Sequence, residues 1–266
     1  MAPWRLDLLS FLVLASFSLR PNEVGNGVCA GCHRNIARRY EATPMAKAAS
    51  CETCHGPGRW HAKGSARMVV PSALEPGQRD SVCAPCHLKG DVQVNRAGKS
   101  ASRFHPGDIF ASYAATFVTD PLSSPKGHVD SLAASQCRRK SEALWCGSCH
   151  DVHDATVLPN ACSQCHSTKN CGKGDQCITC HMPKLPGPVR TDHSIPRLPR
   201  PQTQATAPIR LIPFSPADSG DRELGLAYAE LFRRTGNPEH AALADRLLKA
   251  LPKPDSEARK WLNRKH

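Results

Sequence analysis

One short pattern constrains this chain more than any other feature: a Cys-x-x-Cys pair with histidine as the next residue, repeated six times in 266 residues. The pairs are Cys29/Cys32, Cys51/Cys54, Cys83/Cys86, Cys146/Cys149, Cys162/Cys165 and Cys177/Cys180, and the histidines are His33, His55, His87, His150, His166 and His181. Zinc ribbons and disulfide frameworks use Cys-x-x-Cys without demanding a particular next residue. With 13 histidines in the chain, a following His is about a one-in-twenty event, so six in six by chance is roughly one in ten million or less. Covalent haem attachment does demand it. The two thiols of each pair add to the porphyrin vinyl groups, and the adjacent imidazole becomes the proximal ligand of the iron. The pattern therefore implies six c-type haems, held by the twelve motif cysteines and the six motif histidines.

Thioether formation needs reduced apoprotein and haem together beyond the cytoplasmic membrane, which implies an export signal. Residues 1–19 read as a signal peptide: Trp4 and Arg5, an apolar run from Leu8 to Leu19, and Ser16 and Ser18 before Arg20. That run of about 12 residues is short for a bilayer core of about 30 Å, so cleavage is favoured over an uncleaved N-terminal anchor, the alternative. The expected location is periplasmic or extracellular. The formal charge of +12 would ordinarily suggest nucleic acid or an anionic membrane. Haem propionates change that balance, the basic residues are scattered, and no nucleic-acid module is visible, so no nucleic-acid partner is expected.

A mainly α fold with extensive irregular loops is expected. Residues 26–197 read as a hexahaem cytochrome c domain in which short helices carry the motifs and the porphyrins supply most of the buried apolar matter. Unequal motif spacing suggests two clusters of three haems. Prolines recur from Pro183 to Pro216, so that stretch is extended, and residues 198–217 read as a linker. Residues 218–266 read as a helical hairpin. Leu224, Ala227, Tyr228 and Leu231 share one face, Thr235-Gly236-Asn237-Pro238 makes the turn, and Ala241, Ala244, Leu247 and Leu248 share the facing side. Leu224, Gly225 and Tyr228 fall at the spacing of a tetratricopeptide first helix, although one unit alone does not make an array.

A second axial ligand decides whether a haem is closed or open to substrate. Candidate distal ligands are His61, His105, His128, His153, His193 and the thioether of Met45, while His240 and His266 lie in the helical tail. His105 has a surface or propionate-binding alternative, and Met45 has simple packing as its alternative. Cys137 and Cys171 lie outside the motifs and are candidates either for a disulfide or for separate free thiols.

The stretches Val28-Cys29-Ala30-Gly31-Cys32-His33, Ser50-Cys51-Glu52-Thr53-Cys54-His55-Gly56-Pro57-Gly58, Leu144-Trp145-Cys146 through His150-Asp151-Val152-His153, and Cys180-His181-Met182-Pro183 through Asp192-His193-Ser194-Ile195-Pro196-Arg197 carry a resemblance. They resemble bacterial multihaem cytochromes with C-terminal tetratricopeptide repeats, whose haem domain is similar to the tetrahaem cytochrome of the hydroxylamine-oxidation pathway. The resemblance implies periplasmic electron transfer and distal roles for His61, His128, His153 and His193. In that group the position of Met45 is often His and that of His105 often is not, which leaves the first and third haems least settled. Expected partners are redox proteins, with a membrane-associated donor or acceptor as one form. Two other functions stand beside electron transfer: a reductase or oxidase of a small nitrogen or sulfur compound at one open haem, and an interaction scaffold using the helical tail. The Cys-x-x-Cys-Lys variant of ammonia-forming nitrite reductases is absent from the sequence.

Overall fold

The computed structural model describes residues 21–119, 127–166, 177–185, 191–197 and 210–264. The expected signal peptide, Cys171, His266 and most of the expected linker lie outside the described residues. Helices α1 (Asn26–Cys32), α2 (Arg34–Glu41), α3 (Cys51–His55), α4 (Arg59–Ala62) and α5 (Pro76–His87) carry the first three motifs. Strands β1 (Val92–Asn95) and β2 (Ala114–Val118) follow, then α6 (His128–Ala133), α7 (Gln136–Lys140) and α8 (Cys146–Cys149). After them come β3 (His150–Asp151), β4 (Thr156–Val157), α9 (Cys177–His181), β5 (Ile212–Ser215), α10 (Asp221–Thr235), α11 (Pro238–Lys249) and α12 (Ser256–Leu262). This is a mainly α fold with extensive loops. Among the described residues no helix is long and apolar enough to cross a membrane.

The hairpin forms for local reasons. Asp221 and Glu223 sit at the positive end of α10, and Gly236 ends it in the left-handed region (φ 68°), donating its N–H to the Phe232 carbonyl. One residue later Asn237 caps α11, its Oδ1 accepting the Glu239 N–H at 3.0 Å, with Pro238 at the first helical position. Gly225 lets the two helices close up: a Cβ there would stand 2.7 Å from Leu248 Cδ2. A third helix, α12, is capped by Asp255 and places Trp261 in the same core, its indole N–H donating to Asp245 at 2.9 Å.

That core is shared between the expected haem domain and the helical tail. Val92, Ala115, Phe117 and Leu211 pack with Ala227, Tyr228, Leu231, Ala244, Leu248, Ala258 and Trp261 into one conventional cluster. A smaller cluster joins Ala84, Leu88, Phe104, Phe110 and Ala114. The sheet runs β1–β2–β5, wholly antiparallel, with Val92 opposite Phe117 and Thr116 opposite Ser215. All five residues of β2 are buried. Two arginines of α10 mask the outer edge of β1: Arg222 donates to the Asn95 carbonyl at 2.9 Å and Arg234 to the Asp91 carbonyl at 2.8 Å. β5 is extended, as the prolines require, but it is a strand of this sheet, and Tyr228 Oη accepts the Leu211 N–H at 3.1 Å. The core therefore joins the middle of the cysteine-bearing region to the helical tail.

Candidate haem-binding site

Five of the motifs lie on or at the end of short helices. The fifth corrects the expectation that a helix carries every motif. Cys162 to His166 closes only as a turn, in which the Cys165 N–H donates to the Cys162 carbonyl at 3.2 Å and the His166 N–H to the same carbonyl at 2.9 Å. Cys162, Cys165 and His166 are all exposed there, whereas each of the other motifs keeps at least one cysteine half-buried. The turn is held by its own backbone bonds and by the Ser163 hydroxyl, which donates to the Asn160 carbonyl at 3.0 Å. Of the remaining motif thiols, Cys32, Cys86 and Cys180 are also exposed, each at the outer end of its helix.

Such short helices cannot hold themselves, and polar staples fix them. Ser50 and Thr53 form a reciprocal capping box on α3. Buried Glu52, inside the second motif, accepts N–H groups from Val24 (2.9 Å), Gly25 (2.8 Å) and Gly58 (2.7 Å). Asn26 accepts the Cys51 N–H at 2.9 Å, so the first two motifs are tied together. Farther on, Arg79 of α5 reaches the carbonyls of Glu142 and Ala143 at 3.0 and 3.2 Å and lies over the Trp145 ring, fastening the third motif to the fourth. Asp192 accepts the Ser194 N–H at 2.8 Å and the Ser131 hydroxyl at 3.3 Å, which sets His193 beside α6.

Thiols of successive motifs lie near one another. Cys29 is within electrostatic reach of Cys51, Cys54 of Cys86, Cys83 of Cys146, Cys149 of Cys162 and Cys165, and Cys162 of Cys177. The long stretch between the third and fourth motifs is spent on β1 and β2, which fold back and return the chain to α5. Burial, helped by neighbouring Cys51, pushes the Cys29 thiol up to about 11, keeping it protonated.

The histidines are arranged as strictly. His33 stands 6.1 Å from His61 between ring centres, His55 6.0 Å from His153, His87 5.5 Å from His128, and His150 6.1 Å from His193. Interplanar angles run from 7° to 25°. Distances of this size also occur in ordinary aromatic pairs. Four of the five stacked histidine pairs among the described residues join one motif histidine to one histidine outside the motifs, which favours the ligand reading for those four; the fifth sets His128 and His193, both outside the motifs, 4.3 Å apart between ring centres. Two imidazoles bonding one metal from opposite faces, with metal–nitrogen bonds of about 2 Å, have ring centres about 6 Å apart. The donor set thus fits a haem iron at four places. Among the described residues no three His, Cys, Asp or Glu side chains converge as they would around a bare metal ion.

The ring nitrogens suit the same role. His55 Nδ1 is 2.7 Å from the Val69 carbonyl, His181 Nδ1 2.9 Å from that of Pro196, His61 Nδ1 3.2 Å from that of Ala66, and His193 Nδ1 3.0 Å from that of Thr191. A proton on each Nδ1 leaves Nε2 bare for a metal. Burial is the chief reason His87, His150 and His153 titrate below the ordinary histidine value, assisted by Lys89, His193 and His55 respectively, and this favours the neutral, ligating form.

The structure thus brings His61, His128, His153 and His193 opposite motif histidines. It does not do so for the other two candidates: His105 is exposed, and Met45 sits half-buried on a single 3-10 turn, Pro44–Lys47. The irons expected at His33 and His87, the two least settled by sequence, have imidazoles opposite, whereas His166 and His181 have none among the described residues. Cys137 lies near Cys149 and Cys162, and its expected bridge to Cys171 falls outside the described residues. Glu52, Asp192 and Arg39, treated below, were not singled out from sequence, since each acts on a segment distant in the chain.

In sequence the chain is similar to the Multiheme cytochrome MtrA of Shewanella baltica (strain OS185), 24% identical over 153 residues, 48% of this chain and 44% of that protein. The chain therefore spans less than half the length of this relative. No family model matches it, and no solved structure does.

Proposed function

We propose that this chain is an exported multihaem c-type cytochrome that carries six haems and passes electrons between redox partner proteins. The observation that carries the proposal is the fourfold pairing of a motif histidine with a histidine outside the motifs, at 5.5 to 6.1 Å. The likeness to a multihaem cytochrome supports the haem class. In this reading the twelve motif cysteines hold the haems, the six motif histidines are proximal ligands, and His61, His128, His153 and His193 close the first, third, second and fourth irons. Bound haem supplies a reversible one-electron couple. The chain's own part is to fix the imidazoles, bury the ring faces and order the motifs in a string that suits exchange between neighbours. A periplasmic or extracellular location follows from the attachment chemistry, and the expected signal at residues 1–19 accords with it. The C-terminal hairpin is read as one tetratricopeptide-like unit, on the strength of the close contact at Gly225 and the burial of Tyr228.

The test is intact mass after acid denaturation of protein matured in a competent cytochrome-assembly host. Six covalent haem masses are expected above the mature polypeptide, and fewer than five would sink the count. A second reading has one specific observation behind it: His166, exposed beside Cys165, and His181 lack an imidazole opposite among the described residues. An open face at the fifth or sixth iron would admit a small nitrogen or sulfur compound. Stoichiometric carbon monoxide binding together with steady nitrite or hydroxylamine turnover would replace the carrier with an enzyme.

A further inference from the structure

The turn that carries His153 is not held by its own strands. β3 and β4 pair through two residues each, His150 with Val157 and Asp151 with Thr156. Asp151 accepts the His153 N–H at 3.0 Å, and Asp154 accepts both the N–H (3.1 Å) and the hydroxyl of Thr156. Both carboxylates then turn outward to one atom of a distant helix: Arg39 Nη2 bonds Asp151 Oδ2 and, at 2.7 Å, Asp154 Oδ2. Arg39 is well placed to act as an anchor. α2 starts immediately after His33, buries Ala37 and Tyr40, and is pinned by Tyr40 Oη donating to the Ala49 carbonyl at 2.9 Å.

We propose that Arg39 is a positioning residue for the second haem: through Asp151 and Asp154 it clamps the β3–β4 turn so that His153 stays opposite His55. The proposal rests on the reading of His55 and His153 as the two ligands of one iron. Its physical content is that a segment beside the fourth motif must keep a side chain on the iron of the second, and a two-residue strand pair gives little stiffness of its own. The clamp attaches the turn to the helix behind the first motif. Without it the turn keeps its internal hydrogen bonds but is free to swing. Arg39 is 44% exposed and the two aspartates 30%, so salt should weaken the clamp.

The experiment uses the full haem-loaded protein and follows carbon monoxide uptake after reduction. Uptake at a closed iron waits for its distal ligand to leave, so the rate reports how often His153 swings away. H153A identifies the phase, because the second haem becomes high-spin and binds carbon monoxide at once. Arg39→Gln should accelerate that same phase by roughly 1.5- to 5-fold and leave the other phases alone. Arg39→Lys should restore most of the original rate, since a single nitrogen serves both carboxylates. In unaltered protein, raising the salt concentration should speed the phase in the same direction. If H153A converts one haem and Arg39→Gln and salt change nothing, the clamp is wrong and the ligand pair stands. If H153A leaves every haem low-spin, the ligand pair itself is wrong and the clamp falls with it. Should Arg39→Gln fail to mature, the salt series on unaltered protein decides alone, a flat response overturning the proposal.

Discussion

The sheet with its three C-terminal helices and the motif-bearing segments solve the same problem in opposite ways. The first buries Phe117, Leu248 and Trp261 against one another and needs nothing but its own side chains. Around the first, second and fourth motifs, by contrast, few apolar side chains are buried: Ala37 and Tyr40 are the main ones, while Val28, Ile36, Trp60 and Val152 are exposed. There the chain is held by Glu52, Arg39, Arg79 and Asp192, each reaching a partner far along the sequence. In the proposed haem-loaded protein such a region would do without a core of its own, because the porphyrin faces would complete it.

Removing haem should divide the molecule along that line. In apoprotein made without haem attachment, the amides of α10 and α11 should stay protected from hydrogen exchange while those of α1, α3 and α8 exchange at close to unstructured rates. Equal loss in both regions would end the comparison. Next in size, Phe117→Ala should lower stability by about 3–5 kcal/mol through lost burial and a cavity, seen by denaturant titration, with the haem content unchanged.

Glu52→Gln should act in the other region. The neutral amide has one acceptor oxygen in place of two for three N–H groups, a loss of about 1–3 kcal/mol. It should appear as faster exchange at Val24, Gly25 and Gly58 with α10 unaffected. The smallest effect concerns acid. Burial alone would raise Asp255, but the Ala258 N–H and the Arg222 guanidinium reverse this and hold its folded value below the ordinary carboxylate range. Its contribution is present above the unfolded value and fades as pH falls through the lowered folded one. Compared with Asp255→Asn, the unaltered protein should therefore lose an advantage of less than about 1 kcal/mol between about pH 4 and strongly acid solution, read from the midpoint of C-terminal unfolding.

The two regions also differ in how far they could be read from sequence. The hairpin was legible because its signals are local: period-3.6 apolar positions, Gly236, Asn237 and Pro238 in one turn. The motifs were legible for the same reason, and His61, His128, His153 and His193 could be named as candidates because they are histidines outside any motif. Their partners could not, since nothing near His55 says that the residue opposite is His153. Nor does anything in the spacing of Cys162, Cys165 and His166 distinguish an exposed turn from the helices of the other motifs. The sheet escaped notice although Ala114-Ala115-Thr116-Phe117-Val118 is a short apolar run, because its meaning depends on Val92 and Phe214 arriving from far away in the chain. The approach of the third motif to the fourth depends on that detour.

In the proposed ligation, the distances between partners along the chain set a timetable. If the chain is delivered N terminus first, His33 meets His61 within the next few short helices, so the first centre can close almost as soon as it forms. His55 must wait until the whole sheet-forming stretch and the fourth motif have arrived with His153, and His150 until the return segment brings His193. The second centre is thus begun soon after the first and completed long after it, and a nascent chain halted before His153 would present that centre with one face open to whatever small ligand its compartment contains.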